Sequence, residues 1–178
     1  PHELSGGQAQ RVMLALSLAG RPRTLIADEP TSALDSLTQA QIIDLLNSLV
    51  TDHTMGLLLI SHDLAVVKRV VDRVVVLFAG RIVEEGATNE VFSEPLHPYT
   101  QQLLASIPGR RRKTRSEAVR APEAEDSDRR QGCRYAVRCQ LAHDICWQNE
   151  PDLTELGGGR KVRCPLAPAG RDGNHADG

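Results

Sequence analysis

Apolar positions in this chain follow two alternating rhythms over its first half and lose both in its second. After Leu4-Ser5-Gly6-Gly7-Gln8, helical spacing runs to about Leu18, with Val12, Leu16 and Ala19 on one face and Arg11 opposite. A turn over Gly20 to Arg23 leads into the aliphatic run Thr24 to Ala27, read as a buried strand that ends in Asp28 and Glu29 and is stopped by Pro30. From Ser36 to about Val50, Ile42, Leu45, Leu46 and Leu49 recur at helical spacing, which assigns them to a core. Gly56 to Ile60 is almost purely aliphatic, as expected of a parallel strand covered on both faces. It ends in Ser61-His62-Asp63, and a helix over Leu64 to Val71 follows. Strands alternating with helices in this way predict an α/β fold.

The pattern then changes. Arg73 to Glu85 reads as a hairpin turning at Ala79-Gly80-Arg81, which closes the α/β part. Val91 to Ile107 is helical apart from breaks at Pro95 and Pro98, with Leu103, Leu104 and Ile107 as its stripe. Residues 110–131 carry a basic run (Arg110 to Lys113, Arg115) and then an acidic one (Glu123, Glu125, Asp126, Asp128) with almost no apolar residues. Such a stretch buries too little to offset its ordering entropy, so it reads as a flexible linker. A small irregular segment over 132–167 holds every cysteine, and 168–178 reads as a disordered tail.

Composition narrows the function. With 178 residues the chain is long enough for a real core. A formal charge of −2 and only two Phe, two Tyr and one Trp argue against nucleic-acid binding, which draws on basic patches and stacking rings. No apolar run approaches the roughly 20 residues needed to span a bilayer. The chain shows no secretory leader and opens inside a motif without an initiator Met. These features lead to the expectation of a soluble fragment from a reducing compartment, its N-terminal part lying upstream.

Three places carry chemistry. Asp28 and Glu29 leave a strand at its carboxyl end, the edge where ligands gather in open α/β sheets. Two neighbouring acids there suit one Mg²⁺ ligand and one group that orients water. Ser5, Gly6 and Gly7 form an N-capped helix start whose backbone N–H groups a phosphate could approach; a plain capped helix is the simpler meaning. Four cysteines, Cys133, Cys139, Cys146 and Cys164, are separated by five, six and seventeen residues. Four thiolates suit tetrahedral Zn²⁺ or an iron–sulfur cluster, with His143 able to replace one of them. The spacing lacks paired C-x₂-C units, which weakens zinc, and four unligated thiols remain an open alternative.

Taken in order and spacing, Leu4 to Gln8, Leu25 to Asp35 and Ser61-His62-Asp63 resemble the ATP-binding-cassette (ABC) ATPases, P-loop NTPases of α/β fold. That resemblance implies roles for individual residues. Ser5, Gly6, Gly7 and Gln8 match the signature that contacts ATP held by the opposite subunit of a head-to-tail dimer. Asp28 matches the Walker B acid near Mg²⁺, and Glu29 the acid that polarises the hydrolytic water. Ser32 to Asp35 match the D-loop, and His62 the switch histidine on the γ-phosphate. His97-Pro98-Tyr99-Thr100, Leu103-Leu104 and Gly132-Cys133-Arg134-Tyr135 with the later cysteines look like the ATPase subunits of oligopeptide and dipeptide importers, so the resemblance covers about residues 1 to 167. Members of that group can hold a [4Fe–4S] cluster on four such cysteines, which ranks the cluster above zinc. The implied partners are a second ATPase subunit, identical or not, two membrane permease subunits and, indirectly, an external solute-binding protein, with the chain peripheral on the cytoplasmic face of the membrane.

The resemblance divides the chain into the C-terminal part of an ATPase domain at 1–92, an importer-type helix at 93–109, the linker, the cysteine segment and the tail. No G-x-x-x-x-G-K-[ST] occurs in it, so the phosphate cradle is missing. The expectation is an enzyme in the longer protein and no ATPase activity from these 178 residues alone. The alternative is a truncated or degenerate cassette that acts as a non-enzymatic, metal-holding interaction module.

Overall fold

The computed structural model describes residues 4–32, 34–53, 55–107 and 132–167. Ala33 of the D-loop stretch, the linker at 110–131 and the tail at 168–178 lie outside them. The chain divides into two compact units, Pro1–Val71 and Asp72–Gly178.

In the first unit α1 (Gly6–Leu18), β1 (Thr24–Asp28), α2 (Ser36–His53), β2 (Gly56–Ile60) and α3 (Leu64–Val70) follow in order. β1 and β2 pair in parallel, with Thr24 opposite Gly56 and Asp28 opposite Ile60, and α2 makes the crossover between them. Leu25, Ile42, Leu46, Leu49 and Met55 form the core, with Leu14, Leu18, Leu34 and Leu57 packed against it. Two expectations are corrected here. The strands are covered on one face rather than both: Leu25 is buried, whereas Ile26, Leu58 and Ile60 are 65%, 53% and 47% exposed. The side chains of a strand alternate, so helices on one side of a two-stranded sheet bury only every second residue. Likewise the packed stripe of α1 is Leu14 and Leu18, leaving Val12 and Leu16 exposed, and α2 buries Ile43 while Leu45 faces solvent.

In the second unit β3 (Arg73–Phe78) and β4 (Arg81–Ala87) form the expected hairpin, turning through Ala79 and Gly80 at φ +47° and +76°. Positive φ at both central residues is the turn whose twist matches a hairpin. α4 (Thr88–Ser93) and α5 (Pro98–Ala105) replace the single interrupted helix, with Pro98 in the first turn of α5. A short α6 (Ile145–Gln148) precedes β5 (Thr154–Gly157) and β6 (Arg160–Val162). The segment expected to be irregular thus contains a second hairpin, turned by Gly157, Gly158 and Gly159, all at positive φ. β6 pairs with β4, giving one antiparallel sheet in the order β3-β4-β6-β5. Val83, Val91, Phe92, Leu104, Tyr135, Cys146 and Val162 are buried here.

A polar knot sits inside this unit. Glu84, fully buried, accepts hydrogen bonds from the Leu96 and His97 amides at 2.9 and 3.0 Å and pairs with Arg160 at 3.0 Å. His97, equally buried, caps α5 by accepting from the Tyr99 amide at 3.0 Å, so its proton resides on Nε2, which has no partner among the described residues. Burial pushes the His97 pKa down to about 4, against the pull of Glu84.

Candidate functional site

Because Asp28 pairs opposite Ile60, the next residues of β1 and β2 leave the sheet side by side. The Glu29 amide donates to the Ile60 carbonyl at 2.9 Å. Glu29 then turns into the left-handed region at φ +47°, uncommon for a residue with a side chain. Its carbonyl is held in that turn by the Ser32 amide at 3.1 Å and the Ser32 hydroxyl at 2.9 Å. The outcome is that its carboxylate meets His62. One oxygen, Oε1, accepts from the His62 amide at 3.0 Å and lies 2.8 Å from His62 Nδ1. Hydrogen bonding to Glu29, and then its negative charge, raise the His62 pKa above 6.5. With Nδ1 on the carboxylate, Nε2 is left for a second partner. Asp28 is exposed beside this pair.

The remaining first-unit residues gather around the start of α2. Ser5 and Gln8 form a reciprocal capping box on α1: Gln8 N–H donates to Ser5 Oγ at 3.3 Å and Ser5 N–H donates to Gln8 Oε1 at 2.9 Å. Asp35 caps α2, accepting from the Leu37 and Thr38 amides at 3.1 and 3.0 Å and from the Thr38 hydroxyl at 2.7 Å, bonds that hold its pKa below 3.8. The two helix starts touch: a Cβ on Gly7 would lie 2.4 Å from Thr38 Cγ2, and one on Gly6 would lie 3.5 Å from Leu34 Cδ2. Arg11 hydrogen-bonds Gln41 of α2. So the structure joins Glu29 to His62 and the Ser5–Gln8 turn to the helix that Asp35 caps. Among the described residues no hydrogen bond or ion pair joins Ser5–Gln8 to Glu29 or His62.

The four cysteines all lie in the second unit. The Cys133 amide donates to the Cys146 carbonyl at 2.8 Å, and a Cβ on Gly132 would lie 2.4 Å from that same carbonyl oxygen, so the two segments cross closely. Burial raises the Cys133, Cys139 and Cys164 thiol pKa values, and the thiols add to this by mutual repulsion. All four are unbridged. Their chemistry suits a soft metal, yet among the described residues no three His, Cys, Asp or Glu side chains are gathered so as to hold an ion. No helix among the described residues is long and apolar enough to cross a membrane.

Sequence reasoning missed Gln39, which donates to Asp63 Oδ2 at 2.8 Å, and the buried Glu84–His97–Arg160 knot. A glutamine one turn after a helix cap and a glutamate inside a hairpin carry no local sign of their partners.

The family described as ABC transporter matches residues 1–32, and the family described as oligopeptide/dipeptide transporter, C-terminal region, matches residues 83–146. The chain is 48% identical over 175 residues to a dipeptide transport ATP-binding protein of Haemophilus influenzae, covering 98% of this chain and 52% of that protein. It is 46% identical over 169 residues to an oligopeptide transport ATP-binding protein of Bacillus subtilis, covering 93% and 51%. The chain spans about half the length of the curated relatives it matches. A solved structure of cbiO1 from Clostridium perfringens, part of the ABC transporter complex cbiONQ, aligns with 36% identity and a TM-score of 0.49, covering 52% of this chain and 37% of that one. By its two family matches and its similarity along nearly its whole length, this chain belongs to the ABC transporter family, with a segment of the oligopeptide/dipeptide transporter C-terminal type.

Proposed function

We propose that the chain supplies the signature, Walker B, D-loop and switch residues of an importer ATPase that couples ATP hydrolysis to uptake of oligopeptides or dipeptides. The contact between Glu29 and His62 carries the reading. A carboxylate fixed at the end of β1 and an imidazole fixed at the end of β2 share one hydrogen bond, and phosphoryl transfer calls for such a pair of a water-orienting acid and a group that meets the phosphate charge. Asp28, exposed beside them, would hold Mg²⁺, which neutralises charge on the phosphates when bound. Glu29 accepts hydrogen bonds and keeps His62 oriented; on ATP binding His62 Nε2 is placed to donate toward phosphate. Ser5, Gly6, Gly7 and Gln8 would meet nucleotide on a second ATPase subunit in a head-to-tail pair. The phosphate loop would come from sequence outside these 178 residues. Two permease subunits, and an external solute-binding protein acting through them, complete the transporter, with this subunit peripheral on the cytoplasmic face.

The test is ATP turnover by the assembled transporter. Glu29→Gln keeps the size of the side chain and removes its charge; turnover should fall by about 100-fold or more while ATP still binds. Undiminished turnover in that variant refutes the assignment.

We also infer that Cys133, Cys139, Cys146 and Cys164 hold a [4Fe–4S] cluster. That all four lie unbridged in one short segment supports it, and binding a cluster would have to draw together side chains that are not gathered among the described residues. Anaerobically purified protein should contain iron and absorb at roughly 400 nm. A sample with neither refutes the cluster, and zinc in its place favours the tetrahedral alternative.

A further inference from the structure

The bond from Gln39 to Asp63 lies between two loops that the proposed function uses but does not connect. Gln39 sits one turn into α2; its amide donates to the Asp35 carbonyl at 2.9 Å, so it moves with the helix that Asp35 caps. Its side-chain Nε2 donates at 2.8 Å to Oδ2 of Asp63, 24 residues further along. Both residues are half-buried. Asp63 is the residue after His62 and is fixed on all sides. Its Oδ1 caps α3 through the Ala65 and Val66 amides at 2.9 and 3.3 Å, and its own amide donates to Ser61 Oγ at 3.0 Å. On the other side of the histidine, the His62 amide donates to Glu29. The backbone at His62 is thus held by Glu29 before and by Asp63 after, and Asp63 is fixed in turn to the helix that begins at Asp35.

We propose that Gln39 is a positioning residue for ATP hydrolysis, setting the place of the switch histidine relative to the D-loop helix through Asp63. The inference rests on the ATPase reading above. It touches no nucleotide and adds no chemistry. Its consequence is mechanical: a shift of the Asp35 loop against a partner subunit moves the start of α2, and Gln39 carries that shift to the peptide next to His62. The capping box of Ser5 and Gln8, and the Glu29–His62 bond itself, involve neither side chain of this pair.

The polarity of the bond provides the test. In Gln39→Glu, carboxylate faces carboxylate and the bond is lost. In Asp63→Asn, the amide can keep its oxygen on the α3 cap, since Asn caps as well as Asp, and the Gln39 amide can turn over so that its oxygen accepts from the Asn N–H, which makes this the milder change. Combining the two reverses the bond: the Asn amide donates to the Glu carboxylate, while its oxygen still caps α3. The measurement is steady-state ATP hydrolysis by the assembled transporter for the parent, both single variants and the double variant, with thermal melting of all four. Gln39→Glu should lower kcat by about 10-fold or more, as small misplacements away from the reacting atoms do, with KM for ATP changed less than about twofold, and Asp63→Asn should lose less than Gln39→Glu. The double variant should recover most of the lost kcat. A Gln39→Glu variant as active as the parent, or a double variant that melts normally yet is no faster than Gln39→Glu, overturns the proposal. A parent transporter without ATP turnover refutes the ATPase reading and this inference with it, whereas parent turnover that Gln39→Glu leaves intact refutes this inference alone.

Discussion

Adding one methyl group at Gly7 tests how the Ser5–Gln8 turn is seated. An ideal Cβ there meets Thr38 Cγ2 at 2.4 Å, far inside contact distance, while Thr38 Cβ and Oγ1 stand at an ordinary 3.6 and 3.7 Å. The threonine cannot simply rotate away, because its hydroxyl donates to Asp35 Oδ2 at 2.7 Å as part of the α2 cap. Gly7→Ala must therefore overpack the contact or break that bond, at a cost of about 1–3 kcal/mol. Alanine returns up to about 1 kcal/mol of helix propensity, so the net effect is a loss of about 1 kcal/mol. Thr38→Ser removes the methyl and keeps the hydroxyl. In that background the same Gly7→Ala change should become stabilising, by about 0.5–1 kcal/mol. Urea unfolding of the four proteins followed by far-ultraviolet circular dichroism gives the cycle. An unchanged loss in the Thr38→Ser background would refute the packing argument, since the clash would then lie elsewhere.

Two other perturbations follow from the second unit. His97 has a pKa of about 4 folded against 6.5 unfolded, so the unfolded chain binds the extra proton between those values. Stability of this unit should then be fully present above pH 6.5 and fall as the pH is lowered toward 4, by on the order of 3 kcal/mol. His97→Asn keeps an oxygen to cap α5 and should flatten that slope in urea unfolding at a series of pH values; an equal slope in the variant points to another group. At Gly132 an added Cβ would meet the Cys146 carbonyl oxygen at 2.4 Å and Trp147 Cα at 2.8 Å, backbone atoms that cannot swing aside. Gly132→Ala should cost about 2–3 kcal/mol and speed thiol labelling of the buried Cys146, read by mass spectrometry; labelling at the parent rate contradicts the close crossing.

Much of the first unit was legible because its signals are local. Strand ends, Gly turns and Ser or Asp caps declare themselves within a few residues; Asp28 and Glu29 stood out at the end of β1, whereas His62 was singled out only through the family resemblance. Which face each element buries was less legible. Leu16 and Leu14 are the same residue type two positions apart on α1, and only the position of α2 decides that Leu14 packs. The second hairpin was hidden for a similar reason. Thr154–Gly157 and Arg160–Val162 are too short and polar to read as strands, and they form because β4 offers its edge to Lys161 and Val162 while the guanidinium of neighbouring Arg160 finds the buried Glu84. Gln39 stayed invisible because its partner lies 24 residues away.

The proposed ATPase site depends most directly on Glu29 meeting His62 at the edge of the paired strands, and the titration of His62 measures that contact. Glu29 raises the His62 pKa, so whatever this pair adds to stability is present below pH 6.5 and is lost as the pH rises through the folded value. Imidazole proton resonances, with His62 assigned by its disappearance in His62→Gln, report the midpoint. The predicted result is a His62 midpoint above 6.5 that returns to the ordinary histidine range in Glu29→Gln, with the other histidines unmoved. Identical His62 midpoints in the two proteins would show that the carboxylate and the imidazole do not meet, and would contradict the account.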